Sequence, residues 1–202
     1  IQTRPETVTE ENIEILNSFG APFYQVGMGV ESGSERILFD ICNRKTKVEN
    51  IIRAYDLLNK HNIRSNAYFM IGFPTETREE IFETINLCKR INSTINSVAI
   101  FQPLPGQELT EYCIKNHLIK GNEPMQTFTS GSVLKMPQIS AEEILYLSRT
   151  FLLYAKLPEE YYPEIEKCEY DFNNNRELFK KLIDLRWQYD KEYKYYNIED
   201  IK

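Results

Sequence analysis

Three apolar stretches start near residues 23, 63 and 97, roughly 35–40 residues apart, and each ends in a loop carrying glycine or proline. Between them lie segments with helix-opening signals. Alternation of this kind requires a parallel sheet with right-handed crossovers. The clearest unit runs from Ile63 to Ile81. Ile63 to Ile71 ends in a near-continuous apolar run, as expected of a strand buried on both faces. Gly72 and Pro74 stop it. Thr77 with Glu80 three residues later is a capping box, so a helix begins there. In βα folds ligands bind at the loop following the strand, here Gly72-Phe73-Pro74-Thr75-Glu76-Thr77. A plain βα turn with no ligand is the alternative.

The same chemistry recurs along the chain. Ile1 to Arg4 reads as the end of a strand, and Thr9 or Thr7 caps a helix that Gly20 closes. A strand from Phe23 to Val30 leads into Glu31-Ser32-Gly33-Ser34-Glu35, where Ser32 and Glu35 form a further capping box. Thr46 with Glu49 caps the next helix, whose Val48, Ile51, Ile52, Tyr55 and Leu58 share one face. Asn62 follows it at a position that often needs a left-handed residue. Val98 to Phe101 is the last strand, ended by Gln102-Pro103-Leu104-Pro105-Gly106, and Leu109 to Leu118 is a short helix. Glu123 to Met136 has no period and reads as a loop or lid crossing the sheet. Ser140 with Glu143 opens a helix to about Tyr154, and Glu177 to Tyr193 forms another with Leu178, Leu182 and Leu185 inward. The expected division is a βα unit over 1–118 and a loop plus mostly helical extension over 119–202.

With 202 residues, 42% apolar and 27% charged, the chain folds around a sizeable core. A net charge of −6 argues against a broad phosphate-backbone surface, so nucleic acid is not an expected partner. No apolar run reaches the ~18 residues of a membrane span. Cys42, Cys88, Cys113 and Cys168 are far apart and form no C-x-x-C. They give no zinc or iron–sulfur motif and suit a reducing cytoplasm. The formal sequon Asn92-Ser93-Thr94 is read as chance, since Ile1-Gln2-Thr3-Arg4 is no signal peptide.

Three loops together resemble one family. Gly27-Met28-Gly29-Val30-Glu31-Ser32-Gly33-Ser34-Glu35-Arg36-Ile37-Leu38, followed by Asn43-Arg44-Lys45-Thr46, is similar to the fourth strand and helix of radical S-adenosylmethionine (radical SAM) enzymes. Ile71-Gly72-Phe73-Pro74-Thr75-Glu76-Thr77 resembles their fifth-strand motif, which usually has Gly where Thr75 stands. Phe101-Gln102-Pro103-Leu104-Pro105-Gly106 resembles the sixth strand, where Gln107 replaces a usual Thr. The resemblance covers about residues 1–118. Within the family it is nearest to enzymes with an amino-terminal cobalamin-binding domain, then to the tRNA methylthiotransferase-like group.

The resemblance implies an α/β fold: the carboxyl-terminal half of a (β/α)6 partial TIM-like barrel, with parallel strands, followed by a mostly helical extension. It implies S-adenosylmethionine as cofactor, with a [4Fe–4S] cluster and cobalamin belonging to a longer parent. The family's C-x-x-x-C-x-x-C motif is absent from these 202 residues, so this chain alone is expected to bind no cluster and to be inactive. The expected partners are the amino-terminal half of the same protein and an unidentified substrate. An open sheet edge near Ile1–Arg4 or Tyr24–Val30 invites self-association.

Residue by residue, the resemblance implies that Glu31 accepts hydrogen bonds from the ribose hydroxyls, with Ser32 beside it. A carboxylate suits this role because it accepts from two hydroxyls at once. Arg44 would meet the methionyl carboxylate, and Ile71, Gly72 and Phe73 would flank the adenine. Gln102 stands at the mouth of the last strand. Helix capping by Ser32, core packing by Ile71 and Phe73, and a solvated Arg44 are the structural alternatives. No catalytic residue and no metal ligand is identified. Two other readings compete: a complete small βα enzyme binding phosphate at its loops, which no P-loop or GxGxxG supports, and a non-catalytic interaction module on the same scaffold.

Overall fold

The computed structural model describes residues 1–20, 24–124 and 126–192. Four strands, β1 (Gln2–Thr3), β2 (Gln25–Glu31), β3 (Arg64–Ile71) and β4 (Ile95–Ile100), form one sheet in the order β1-β2-β3-β4. Every pairing is parallel. The connections carry α1 (Glu10–Ser18), α2 (Val48–Lys60) and α3 (Arg78–Ile91). After β4 come α4 (Glu108–Lys115), α5 (Ala141–Lys156), α6 (Tyr162–Tyr170) and α7 (Arg176–Glu192). The expected parallel α/β alternation is present.

One face of the sheet carries the main core. Val26, Met28, Ala67, Phe69, Ile71 and Ile100 pack there against Ile13 of α1, Ile51, Tyr55 and Leu58 of α2, and Ile81, Ile85 and Cys88 of α3. The helices after residue 140 join the same core: Phe151 of α5 lies 5.5 Å from the Phe69 ring, and Ile144, Leu147 and Leu182 are buried within it. The opposite face is more open. Along β3, Ser65, Ala67, Phe69 and Ile71 are buried while Arg64, Asn66, Tyr68 and Met70 are half-buried. The expectation of a strand buried on both faces is therefore corrected, because the described helices cover one side and leave Arg64, Asn66, Tyr68 and Met70 half-buried on the other.

The capping signals divide by how local they are. Thr77 and Glu80 form the expected reciprocal box at α3, and Ser140 accepts from the Glu143 amide at α5. At α1 the cap is Thr9, while Thr7 sits in the short turn Pro5–Thr7 and donates to the Arg4 carbonyl. The Ser32–Glu35 and Thr46–Glu49 boxes do not form. Ser32 Oγ accepts from the Ser34 amide, Glu35 Oε1 from the amide of Val48, and Lys47, at the N-cap of α2, makes no side-chain cap. The segment after Ser34 is a π-helical turn, Ile37–Ile41. Asn62 has φ +54°, as expected, and Asn92 closes α3 with φ +46°. The α6 helix, bounded by a short turn at Glu159–Tyr161, was not expected. Phe23 and Tyr193, the ends of two expected elements, lie outside the described residues.

Residues 116–124 and 126–140 cross the end of β4 as a loop. The Ile100 amide donates to the Phe128 carbonyl (2.7 Å), and the Lys135 amide to the Leu118 carbonyl (2.9 Å). A second, smaller core of Ile37, Phe73, Phe101, Cys113, Leu118 and Leu134 fills the space between this loop and the strand ends.

Candidate functional site

The parallel register brings the carboxyl ends of β2, β3 and β4 side by side: Glu31 pairs with Phe69, and Ile71 with Ile100. Glu31, Ile71-Gly72-Phe73 and Gln102 therefore follow three adjacent strands at one end of the sheet.

Glu31 ends β2 at a register shift and has φ +64°, a left-handed conformation unusual for glutamate. Its Oε1 accepts from Arg44 Nη1 at 3.0 Å, and the same nitrogen donates to the Gly29 carbonyl at 2.8 Å. A Cβ on Gly29 would meet Glu31 Oε1 and come within 3.3 Å of Arg44 Nη1, so glycine is what leaves room for the pair. Among the described residues Glu31 Oε2 has no partner. Burial raises the Glu31 pKa, and the charge of Arg44 offsets this only in part. Arg44 thus engages the protein's own carboxylate, and Nη1 is committed to it and to Gly29.

Ser32 is fully buried. Its hydroxyl faces Thr84 Oγ1 of α3 at 3.1 Å and accepts from the Ser34 amide, while the Gly33 amide donates to Thr84 Oγ1 at 2.8 Å. These bonds dock the loop onto α3.

The loop after β3 is organised by a residue outside the expected set. Glu76, with no exposed surface, accepts from the Gly72 amide (2.5 Å) and the Phe73 amide (3.1 Å) through Oε2. Its Oε1 is buried and has no partner among the described residues. Burial pushes its pKa up to about 8, against the lowering effect of the two amides. Gly72 has φ +78°, and a Cβ there would lie 2.9 Å from Ile144 Cγ2. Ile71 is wholly buried, and Phe73 packs 5.5 Å from the Phe101 ring. Gln102, 6% exposed, donates through Nε2 to the Gly131 carbonyl (2.8 Å) and the Thr127 carbonyl (3.4 Å).

Glu80, legible in the sequence as the capping-box partner of Thr77, has a second role that is not legible there, its pairing with Arg36. Arg36 grips Glu80 in a bidentate pair, both bonds 2.7 Å, and donates to the Thr75 hydroxyl (3.1 Å) and carbonyl (2.9 Å). Thr75 has φ +65°, and this grip holds it at the position where the resembling family has glycine. The first loop is thereby tied to the second. Cys42 is half-buried nearby; burial, with the charges of Glu31 and Glu76 adding, pushes its thiol up to about 12. That argues against a reactive thiolate. Among the described residues no three His, Cys, Asp or Glu side chains converge as metal ligands, so a [4Fe–4S] cluster does not fit the described residues. No described helix is long and apolar enough to cross a membrane.

Residues 1–88 match the sequence profile of the radical SAM superfamily. An uncharacterized methyltransferase of Pyrococcus horikoshii is 31% identical over 147 residues, which is 73% of this chain and 31% of that protein. A tRNA-2-methylthio-N(6)-dimethylallyladenosine synthase of Pelagibacter ubique is 29% identical over 106 residues, 52% of this chain and 24% of that one. The chain thus spans a third or less of the length of these curated relatives. Among solved structures, Elp3 of Methanocaldococcus infernus superposes with TM-score 0.54 at 22% identity, covering 79% of this chain and 33% of its own. The radical SAM enzyme coproporphyrinogen III oxidase of Escherichia coli gives 0.55 at 20% identity, covering 77% and 32%. Their likeness is one of fold; the profile itself runs through β1, β2 and β3 with the first two loops and ends before β4 and the third, and over residues 1–88 the chain belongs to the radical SAM superfamily.

Proposed function

We propose that this chain supplies the nucleoside-binding and substrate-side part of a radical SAM enzyme, with the remainder of the core provided by a longer protein. S-adenosylmethionine, when bound, supplies one-electron radical chemistry. This chain's own residues bind and orient its nucleoside. The observation that carries the reading is Glu31, a carboxylate at a bulged strand end with a left-handed backbone, one oxygen on Arg44 and the other without a partner among the described residues. Ribose hydroxyls would complete its bonding and favour its ionised form. At Gly72, where a Cβ would strike Ile144, glycine lets the loop after β3 turn close against α5 beside this site.

The reaction is proposed at a coarse level as methyl or methylthio transfer, in line with the names of the relatives. Dependence on cobalamin is the finer form of that proposal, and the absorption spectrum of the purified parent checks it. Location in the cytoplasm is part of the same reading, as is pairing of the open β1 edge with the rest of the parent.

Anaerobic calorimetric titration of the intact protein with S-adenosylmethionine, beside a thermal melt, tests the site. Glu31→Gln is expected to weaken binding by ~1–3 kcal/mol, as for a charge-assisted hydrogen bond, with folding intact. Unchanged affinity with a lowered melting temperature would remove Glu31 from the site.

A further inference from the structure

A cavity that Glu31 does not line lies between the 102–106 loop, α4 and the loop after Leu118. Its volume is about 180 Å³, room for a group of about half a dozen heavy atoms. Its walls are held in place from three sides. Thr110 Oγ1 donates to the Leu104 carbonyl at 2.6 Å, fixing the proline-rich loop on α4. The Glu123 carboxylate accepts from the Lys120 amide (2.7 Å) and the Gly121 amide (2.9 Å), fixing the opposite turn. Gln102 Nε2 holds the Gly131 and Thr127 carbonyls, pinning the crossing loop.

The lining has a definite chemistry. Ile114, Ile119 and Val133 supply apolar walls, and Glu111 and Glu123 supply two carboxylates. Among the described residues no Lys, Arg or His lines it. The backbone amide of Lys120, followed by those beside it, holds the Glu123 pKa below the usual carboxylate range, so that charge is present at neutral pH. Gln102 is the decisive member. It is more than nine-tenths buried, and both its bonds are made by Nε2 to carbonyl acceptors. Those two acceptors fix which end of the amide is which, and they leave Oε1, an acceptor, without a partner among the described residues. An apolar chamber with an unused acceptor and two anions is matched by a cationic donor on an aliphatic stem.

We propose that this cavity is a binding site for an aliphatic ammonium group, its stem against Ile114, Ile119 and Val133 and its N–H donors meeting Gln102 Oε1 and the Glu111 and Glu123 carboxylates. The site shares Gln102 with the strand-end set but neither Glu31 nor the Gly72 loop, so it does not rest on the nucleoside-binding reading.

The test is a heteronuclear NMR titration of the whole chain with n-butylammonium chloride, n-butanol being the uncharged control. Saturable shifts confined to amides of residues 102–106, 110–114 and 119–126 are expected, with n-butanol binding at least about tenfold more weakly. Gln102→Leu should weaken n-butylammonium about tenfold or more, as loss of a hydrogen bond to a charged group does. That change also releases the crossing loop, so Glu111→Gln, on the exposed side of α4, is the second variant. It should weaken binding about two- to fivefold and leave the spectrum otherwise unchanged. Absence of saturation, shifts spread over the whole chain, equal binding of n-butanol, or a Glu111→Gln affinity equal to wild type would each overturn the proposal. S-adenosylmethionine, titrated separately, reports on amides at 29–31 and 72–73, so either site can fail without the other.

Discussion

Gly33→Ala is the most incisive perturbation of the loop that carries Glu31. The Gly33 backbone lies directly on that of α3: an added Cβ would collide with the Glu83 carbonyl, sitting 2.6 Å from its carbon and 2.7 Å from Thr84 Cα. These atoms belong to a helix backbone and cannot rotate away, so loop and helix must separate. Overpacking of this kind costs about 1–3 kcal/mol. Separation also strains the bonds from Ser32, the Gly33 amide and Ser34 to Thr84 and Glu80, each worth about 0.5–1.5 kcal/mol. Relaxation spares some of them, so a loss of about 2–4 kcal/mol is expected, a fall in melting temperature of roughly 5–15 °C for a chain of this size. Gly106→Ala is the control. It too has a left-handed φ, +82°, but nothing lies within 4 Å of an added Cβ, so only about 1–2 kcal/mol of backbone strain applies. Differential scanning calorimetry of both variants decides the matter. If Gly33→Ala melts no lower than Gly106→Ala, the loop is not seated on α3 as described, and the positioning of Glu31 loses its basis.

Glu76 gives a pH signature. Its folded pKa, about 8, lies above the ordinary carboxylate value, so the folded state keeps a proton that the unfolded state has lost, and stability falls as pH rises from near 4.5 to near 8. The slope is at most about 1.4 kcal/mol per pH unit, and Glu76→Gln should flatten it in urea titrations across that range. An unchanged slope would mean that another group is responsible. Arg78→Ala should destabilise by about 3–5 kcal/mol in chemical denaturation, because it strips Glu169, only 1% exposed, of its bidentate partner and leaves Tyr154 as its remaining bond. A loss under 1 kcal/mol would show that water reaches Glu169.

The sequence shows those features whose cause lies within a few residues. The Thr77–Glu80 box, the Asn62 turn and the amphipathic face of α2 are read directly, because capping and helical period are local. Glu35 and Glu49 stand at the same spacing from a Ser or Thr, yet their boxes fail: Ser32 is drawn to Thr84 and Glu35 to the Val48 amide, both distant in the chain. Glu80 shows the limit most clearly. Its box is legible, but its bidentate bond to Arg36, 44 residues away, is not. The α6 helix stayed hidden for the same reason. Its buried face is Ile165, Cys168 and Glu169, and a glutamate there reads as surface until Arg78 and Tyr154 are seen to meet it. At the site, the positions of Glu31, Gly72 and Gln102 follow from strand order. The role of Glu76 does not, since it depends on two amides left unpaired by the turn at Gly72.

Two non-glycine residues at the carboxyl end of the sheet are left-handed, Glu31 at +64° and Thr75 at +65°. Each such conformation costs about 1–2 kcal/mol and persists only when its surroundings enforce it. Both are enforced by arginines from one connection, the segment between β2 and α2: Arg44 holds Glu31, and Arg36 holds Thr75. Guanidinium is suited to this, because its fixed fork of donors binds a carboxylate and a backbone carbonyl together, which an ammonium point charge does with less directional hold. The same connection is seated on α3 through Gly33, Ser34 and Thr84. The strain is thus concentrated where three strand ends meet, and it is held by bonds that run between loops instead of within them. A loop end built this way is fixed before any ligand arrives, so binding spends little on ordering the protein.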